Sequence, residues 1–219
     1  MLVVINQTTG ALTNYLQLSN EQGSASIAYH SQNNLLYRIS GPASMTILEA
    51  TDLSTNNTAL VANLRRPFST FTYDAANDRF LGAESQATTP LPLTSIDPRN
   101  GLLTRIGLIT EGPNRNIRLS GMAYSNGLLY GCDSDSPNVY TVNEANADAT
   151  FAAVIRHTTL TILGCDSMAT DPFTGQVWIV VRDVASSAQQ LGIINLTSGA
   201  FNDVAQLSDV IASIALVPA

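Results

Sequence analysis

The chain of 219 residues contains no lysine: its ten basic residues, from Arg38 to Arg182, are all arginine. That removes Schiff-base chemistry, a lysine general base and the lysine of a phosphate-binding loop. Charge is scarce, at 12% of residues, and acidic on balance, with 17 Asp and Glu giving a formal net charge of -7. Binding to a phosphate backbone needs the opposite sign, so nucleic acid is not an expected partner. Long apolar runs are missing too. The strongest, Val177-Trp178-Ile179-Val180-Val181, falls far short of the ~20 residues of a membrane-spanning helix, and no membrane insertion is expected. Cysteine is limited to Cys132 and Cys165, which allow one internal bridge at most and no disulfide framework.

Met1 leads directly into Leu2-Val3-Val4-Ile5, without a basic n-region or a long apolar h-region, so no secretory leader is read in the sequence. An intracellular protein and one whose leader has been cleaved both satisfy that reading. Few charges, no lysine and abundant Ser, Thr, Asn, Gln and Ala resemble a secreted bacterial surface domain, and an extracellular or cell-surface location is expected.

What the chain does have is an internal repeat. Five segments place an apolar run ahead of an Asn or Asp, then a polar stretch and a second run; the Asn/Asp positions, Asn6, Asp52, Asp97, Asn143 and Asn195, are 46, 45, 46 and 52 residues apart. Each is expected to open a tight hairpin, in which the residue four positions on must accept a positive φ. Gly10, Asn56, Gly101 and Gly199 suit that position. Ala147 does not, which implies a different turn in the fourth copy, with Asn146 taking the left-handed conformation instead.

A second set, at the same period, places a large apolar residue between two small ones: Ser26-Ile27-Ala28, Thr70-Phe71-Thr72, Gly121-Met122-Ala123, Ser167-Met168-Ala169 and Ser213-Ile214-Ala215. Four of these are followed, after a polar turn, by an aromatic-bearing strand at Tyr37, Phe80, Tyr130 or Trp178. The unit is four short antiparallel strands, A to D, and no segment sustains a helical period. Such a unit, 46 residues long and repeated around an axis, resembles the blade of a β-propeller, and the resemblance covers the whole chain. It is carried by the small-large-small pattern and the Asn/Asp-x-x-(Ser/Thr/Asn)-Gly turn. No named subfamily is matched, since there is no Trp-Asp dipeptide at blade ends, no Gly-Gly kelch pair and no Ser-x-Asp-x-Gly-x-Thr-Trp box. In general look the chain is similar to uncharacterised secreted bacterial propeller domains, a resemblance that implies a fold and leaves function open.

The expected architecture is therefore all-β: one five-bladed propeller over 1–219, with blades near 24–64, 68–109, 119–155 and 165–208 and a closing blade of 1–20 with 209–219. Closure pairs the N-terminal strands with Ile211 to Val217. The closing blade lacks a B strand, which either precedes Met1 or is absent, leaving Leu2 to Asn6 directly beside strand A. Small residues of strand A leave room at the narrow axis, and Ile27, Phe71, Met122, Met168 and Ile214 fill the space between blades.

This strand order puts the D–A and B–C connections on one face, the loop face, and the A–B and C–D turns on the other, the turn face. His30 and His157 fall on opposite faces, so each is expected to be solvated or capping and not half of a metal site. Cys132 and Cys165 both reach the loop face, where free buried thiols and a disulfide are both open. Asp133, Asp135 and Glu144 have the spacing of a calcium loop, but Pro137 and Asn138 stand where a ligand and a glycine are needed. An EF-hand is rejected; a simpler calcium site at Asp133 and Asp135 remains beside the reading of a solvated acidic loop. No cofactor is implied, because no nucleophile elbow, Cys-x-x-Cys pair or nucleotide-binding glycine loop occurs.

The loop face carries the long connections and six arginines, Arg65, Arg66, Arg115, Arg118, Arg156 and Arg182, interspersed with Glu84, Glu111, Asp133, Asp135 and Asp183. These form either an anion-attracting funnel or a neutralised salt-bridge network. The expected ligand-binding residues are Arg66, Arg118, Arg156, Asp166 and Arg182. The expected function is a monomeric, non-catalytic module recognising a glycan, a small polar ligand or a protein at the loop face or axial pocket. Two alternatives stand beside it: a structural spacer or adhesin domain without a small ligand, and a hydrolase or lyase centred on Asp166. In the latter, Arg118 and Arg156 are electrostatic partners and Asp133 or Asp135 the second acid. The glycosylation sequons at Asn6, Asn56 and Asn195 coincide with hairpin turns whose own chemistry accounts for them.

Overall fold

The computed structural model describes residues 2–6, 9, 11–16, 26–42, 44–85, 90–112 and 115–218. All regular elements among them are strands. An N-terminal hairpin joins β1 (Leu2–Ile5) to β2 (Leu12–Leu16). The first four-stranded sheet is β3 (Ser26–His30), β4 (Leu35–Ser40), β5 (Ile47–Asp52) and β6 (Asn57–Asn63), paired antiparallel in that order. The second is β7 (Phe68–Asp74), β8 (Arg79–Glu84), β9 (Pro92–Ile96) and β10 (Leu103–Leu108), followed by a short ribbon of β11 (Thr110–Glu111) and β12 (Arg115–Asn116). The third is β13 (Leu119–Ser125), β14 (Leu128–Asp133), β15 (Asn138–Val142) and β16 (Ala149–Val154). The fourth is β17 (Ile162–Thr170), β18 (Val177–Asp183), β19 (Gln189–Ile194) and β20 (Phe201–Gln206).

The inner strands β3, β7, β13 and β17 lie side by side in turn, so the fold is a β-propeller arrangement of four antiparallel four-stranded blades. The expected count of five is corrected to four. Among the described residues β1 pairs only with β2, and Ile211–Val217 joins no ladder. The reason is where the backbone donors of that segment go. Ile211 N–H donates to Gln189 Oε1 at 2.6 Å and Ile214 N–H to Ser167 Oγ at 3.0 Å, so side chains of the fourth blade take groups a ladder would use. Ser213 Oγ in turn accepts Ile27 N–H of the first blade at 3.1 Å. The segment thus holds the fifth inner position without forming a strand. Gly10 and residues 17–20, on which parts of the expected closing blade rest, and residues 24–25 at the start of the expected first blade lie outside the described residues.

Serines at the loop end of the inner strands also bind neighbouring blades together. Ser69 Oγ donates to Leu119 O at 2.8 Å, and Ser120 Oγ donates to Cys165 O. Small size at these positions therefore answers both crowding and cross-blade hydrogen bonding. At Gly121 a Cβ would lie within 3 Å of the Ser167 backbone, which explains glycine there.

The blades pack through distinct cores. Between the first and second, Tyr37, Phe71, Tyr73 and Phe80 join Ile39, Leu48 and Ile96. Between the second and third, Leu81, Leu93, Met122, Leu129 and Tyr140 are buried together. Between the third and fourth, Val139, Met168, Val177, Ile179 and Phe201 surround the bonded pair Cys132–Cys165. On the far side of the fourth, Trp178, Val180 and Leu191 pack on Ile214, with Ile5 of the hairpin against them. Each fully buried large side chain contributes about 1.5–3 kcal/mol, and such packing is what holds short blades together.

Four of the five Asn/Asp anchors make the expected turn, and residues 7, 8 and 10 of the Asn6 copy lie outside the described residues. Asp52, Asp97, Asn143 and Asn195 Oδ1 accept the amide two residues on, at 2.8–3.0 Å, and Asn6 Oδ1 accepts Thr9 N–H at 3.0 Å. The fourth copy is not the exception expected: Ala147 itself takes φ 67, its N–H bonded to Asn143 O at 2.8 Å, as Gly101 and Gly199 do with φ 69 and 74. The Asn143 hydrogen bonds outweigh the ~1–2 kcal/mol cost of a left-handed alanine, and the buried methyl joins the core.

Candidate functional site

Alternation along a strand sends residues i and i+2 to the same face. In the inner strands this brings the large residue of each small-large-small set, Ile27, Phe71, Met122, Met168 and Ile214, to the wall of an axial cavity of about 250 Å³. The residues two further on, Tyr29, Tyr73, Tyr124, Thr170 and Leu216, line it as well, and Ser31, Ala75, Asn126 and Pro172 follow at its mouth. These last belong to A–B turns, so the cavity belongs to the turn face. A larger, more open groove of about 550 Å³ lies on the flank of the third blade beside Leu128 and Glu144. It is made by one blade alone, whereas all five inner segments contribute to the axial cavity.

The phenols of the cavity are anchored by their own turns. Tyr29 Oη donates to Asn34 Oδ1 at 2.6 Å and Tyr73 Oη to Asp78 Oδ1 at 3.0 Å, while Tyr124 Oη lies 3.5 Å from Gly127 O. Burial, with Asp78 beside it, raises Tyr73 above the ordinary tyrosine range. Burial, then the Glu144 carboxylate, pushes Tyr124 up to about 12. Asp171 lines the cavity, but its carboxylate accepts Phe173 N–H at 2.8 Å and Thr174 Oγ1–H at 2.7 Å. Burial opposes its ionisation, yet these bonds hold it below the ordinary carboxylate range. Thr170 Oγ1 is buried in the wall with no hydrogen-bond partner among the described residues.

Seven carboxylates stand in or beside the turns of this face, Asp52, Asp74, Asp78, Asp97, Glu144, Asp148 and Asp171, against two guanidiniums, Arg79 and Arg99. Arg79 bridges Asp74 of its own blade, at 2.9 Å, to Glu144 of the next, and Arg99 pairs with Asp78. His30 completes this set and corrects the expectation of a solvated or capping histidine. It is 3% exposed, stacked 4.0 Å from the ring of Tyr73, with Nε2 3.1 Å from Asp78. Burial lowers its pKa below the ordinary value, only partly offset by Asp78. The aromatic cluster that receives it, Tyr37, Tyr73 and Phe80, comes from two blades, which a single-strand reading does not bring together. His157 does cap: its Nδ1 accepts Leu160 N–H at 3.0 Å, and Nε2 faces Asp203 at 2.8 Å.

On the loop face the expected binding residues are distributed among ion pairs. Arg66 reaches Glu84 at 3.1 Å, and Glu84 also accepts Thr94 Oγ1–H at 2.6 Å. Arg118 lies 3.8 Å from Asp135. Asp166, its side chain 11% exposed, pairs with Arg182, which is 41% exposed, and accepts Gln189 Nε2–H at 2.8 Å. Gln189 also donates to Ile211 O at 3.0 Å, so Asp166 serves to hold the C-terminal segment. Arg118 and Arg156 are not its partners among the described residues; the Arg156 backbone is bonded to Gly199 and Phe201 of the next blade's outer turn. Asp133 accepts Asp135 N–H at 3.0 Å and Ser136 Oγ–H at 2.8 Å, closing its own turn. Among the described residues no group of three or more His, Cys, Asp or Glu is placed to hold a metal ion. No helix among them is long and apolar enough to cross a membrane.

The residues that sequence reasoning did not single out are Tyr29, Tyr73 and Tyr124. Their signal was present: each stands two positions after the large residue of strand A in three successive repeats.

The sequence matches no protein-family model and no curated protein. Solved structures share its fold. TolB of Acinetobacter baumannii superposes with a TM-score of 0.57 at 15% identity over 92% of this chain and 51% of that one. An engineered GH43 glycoside hydrolase with endo-xylanase and exo-arabinofuranosidase activity gives 0.57 at 12% identity, over 82% of this chain and 40% of that one. An auxiliary nutrient binding protein from Bacteroides thetaiotaomicron VPI-5482 gives 0.54 at 15% identity, over 86% and 43%. The chain spans about half or less of each of these proteins. At such identities the likeness is one of fold, and it defines the class as an all-β propeller.

Proposed function

We propose that the protein is a non-catalytic, extracellular or cell-surface binding module that holds a small polar ligand, such as a single sugar or a metabolite of similar size, in the axial cavity of its turn face. The observation that carries this reading is the fivefold lining: every inner segment contributes an apolar residue, and three contribute a tyrosine. Concave sites with apolar walls and a few polar groups are the usual form of a ligand pocket, and about 250 Å³ lies just under the ~300–1,000 Å³ range of such pockets. The one carboxylate that the described residues place in the wall, Asp171, is engaged by its own turn, which favours recognition over proton transfer. Arg66, Arg118 and Arg182 of the loop face are engaged by carboxylates, which favours a structural role for that end. A nutrient binding protein among the solved structures of like fold accords with a binding role. The bonded Cys132–Cys165 pair, with the absence of lysine, accords with an oxidising, extracellular setting. The module acts as a monomer.

Thermal-shift screening against glycans and polar metabolites, followed by a structure with the best ligand, is the test. A ligand among Tyr29, Tyr73 and Tyr124 is expected; one seated on the loop face at Arg66, Arg118 or Asp166 would move the site to the opposite end.

A further inference from the structure

Resting on the reading of the axial cavity as the ligand site, we infer that it selects a small organic cation, an amine or quaternary ammonium group, over neutral and anionic molecules of the same shape. Three features of the wall converge on that chemistry. First, three successive blades present a tyrosine at the same register, and aromatic rings attract cations through their electron-rich faces. The phenol protons of Tyr29 and Tyr73 are donated outward to Asn34 and Asp78, so what these side chains offer the cavity is ring density and not a hydrogen-bond donor. Second, no arginine or histidine among the described residues lines the cavity, and an anion meets no charged donor from them there. Third, the turn face holds seven carboxylates against two guanidiniums, so the mouth lies in a negative field that draws cations in and repels anions. The chain as a whole, at a formal charge of -7, acts in the same sense.

Methionine-methyl NMR makes this testable, because Met122 and Met168 line the cavity while Met45, 71% exposed and outside it, is an internal control. Tetramethylammonium, tert-butanol and pivalate form a shape-matched series that is positive, neutral and negative. Tetramethylammonium is expected to shift the Met122 and Met168 methyls saturably, leave Met45 in place, and bind at least about fivefold more tightly than tert-butanol, with pivalate weakest. The preference should shrink as salt is raised. Tyr124→Leu should remove it and Tyr124→Phe, which keeps the ring, should preserve it. If tert-butanol or pivalate shifts the same two methyls at equal or lower concentration, the cation preference is wrong and the cavity remains the site. If no probe or screened ligand moves either methyl, the cavity reading falls and the inference with it.

Discussion

At the loop end of the axis Glu84, Asp135 and Asp166 each face an arginine, and Gln189 is spent on the main chain of Ile211. At the turn end Asp74, Asp78 and Glu144 are paired with Arg79 and Arg99 in the same way, but around the open cavity itself the polar groups are phenols, hydroxyls and the turn-bound Asp171. Both ends are made by the same inner strands, so the difference is not one of fold but of what the loops demand. Long loop-end connections need side chains to fix them, and ion pairs with hydrogen bonds do so. Tight turns satisfy their own backbone groups with Asn and Asp, which leaves the neighbouring cavity unfilled. Changes at the loop end should therefore cost stability and leave ligand binding alone, and changes to the wall or mouth of the cavity the reverse.

The largest effect is expected from the loop-end disulfide. Replacing Cys132 and Cys165 together by Ala opens a loop with a sequence separation of 33 and removes a link between two blades. Chain-entropy reasoning gives about 3–4 kcal/mol of lost stability, measurable by denaturant unfolding. Ligand affinity of the folded fraction should not change; a parallel loss of affinity would break the contrast between the two ends.

Next comes Asp166→Asn, which disrupts the Arg182 pair and loosens Gln189 and the segment from Ile211. Because Arg182 is 41% exposed, the loss is discounted to about 1–2 kcal/mol. Unchanged stability with abolished turnover on some substrate would instead place a catalytic centre there.

At the turn end, His30 makes stability pH-dependent in a definite direction. Its folded pKa is lowered by burial, so the unfolded chain takes up a proton more readily. Stability is then full above the ordinary histidine value of ~6.5 and falls as pH drops through it, until the folded pKa is reached and the dependence ends. His30→Phe, which keeps an aromatic ring between Tyr37, Tyr73 and Phe80, should flatten that part of a melting-temperature profile. A profile that falls equally in the variant would assign the dependence to other groups.

The smallest effect should come from Ala147→Gly. Relief of the left-handed alanine, about 1–2 kcal/mol, is opposed by loss of a buried methyl and by glycine's greater freedom in the unfolded chain, about 1–2 kcal/mol together, leaving a change within about 0.5 kcal/mol. A loss above ~1 kcal/mol would show that the methyl outweighs the strain.

Much of this fold was legible in the sequence. The all-β class, the four-stranded unit and the Asn/Asp turns follow from local patterns, because alternation and turn chemistry act within a few residues. The blade count was not legible. The fifth copy of the small-large-small pattern, Ser213-Ile214-Ala215, does occupy an inner position, but whether it pairs as a strand depends on Gln189 and Ser167, distant side chains that take the amides of Ile211 and Ile214. Ala147 was misread for a related reason: propensity argues against a left-handed alanine, while hydrogen bonding to Asn143 requires one. For the site, the charged loop-end residues drew attention by type, and the tyrosines that line the cavity carry no local motif that marks them. Their common register became meaningful only once the strands stood around one axis.

The account's central claim is that ligand enters at the turn end. Ser31 is exposed in an A–B turn at the cavity mouth, so Ser31→Trp obstructs the opening without disturbing the core, and Arg118→Ala alters the loop end equally superficially. Titrating both variants with the ligand found by screening should give an affinity at least about tenfold weaker for Ser31→Trp and within about twofold of wild type for Arg118→Ala. An unaffected Ser31→Trp with a weakened Arg118→Ala would contradict the claim and return the binding site to the loop face.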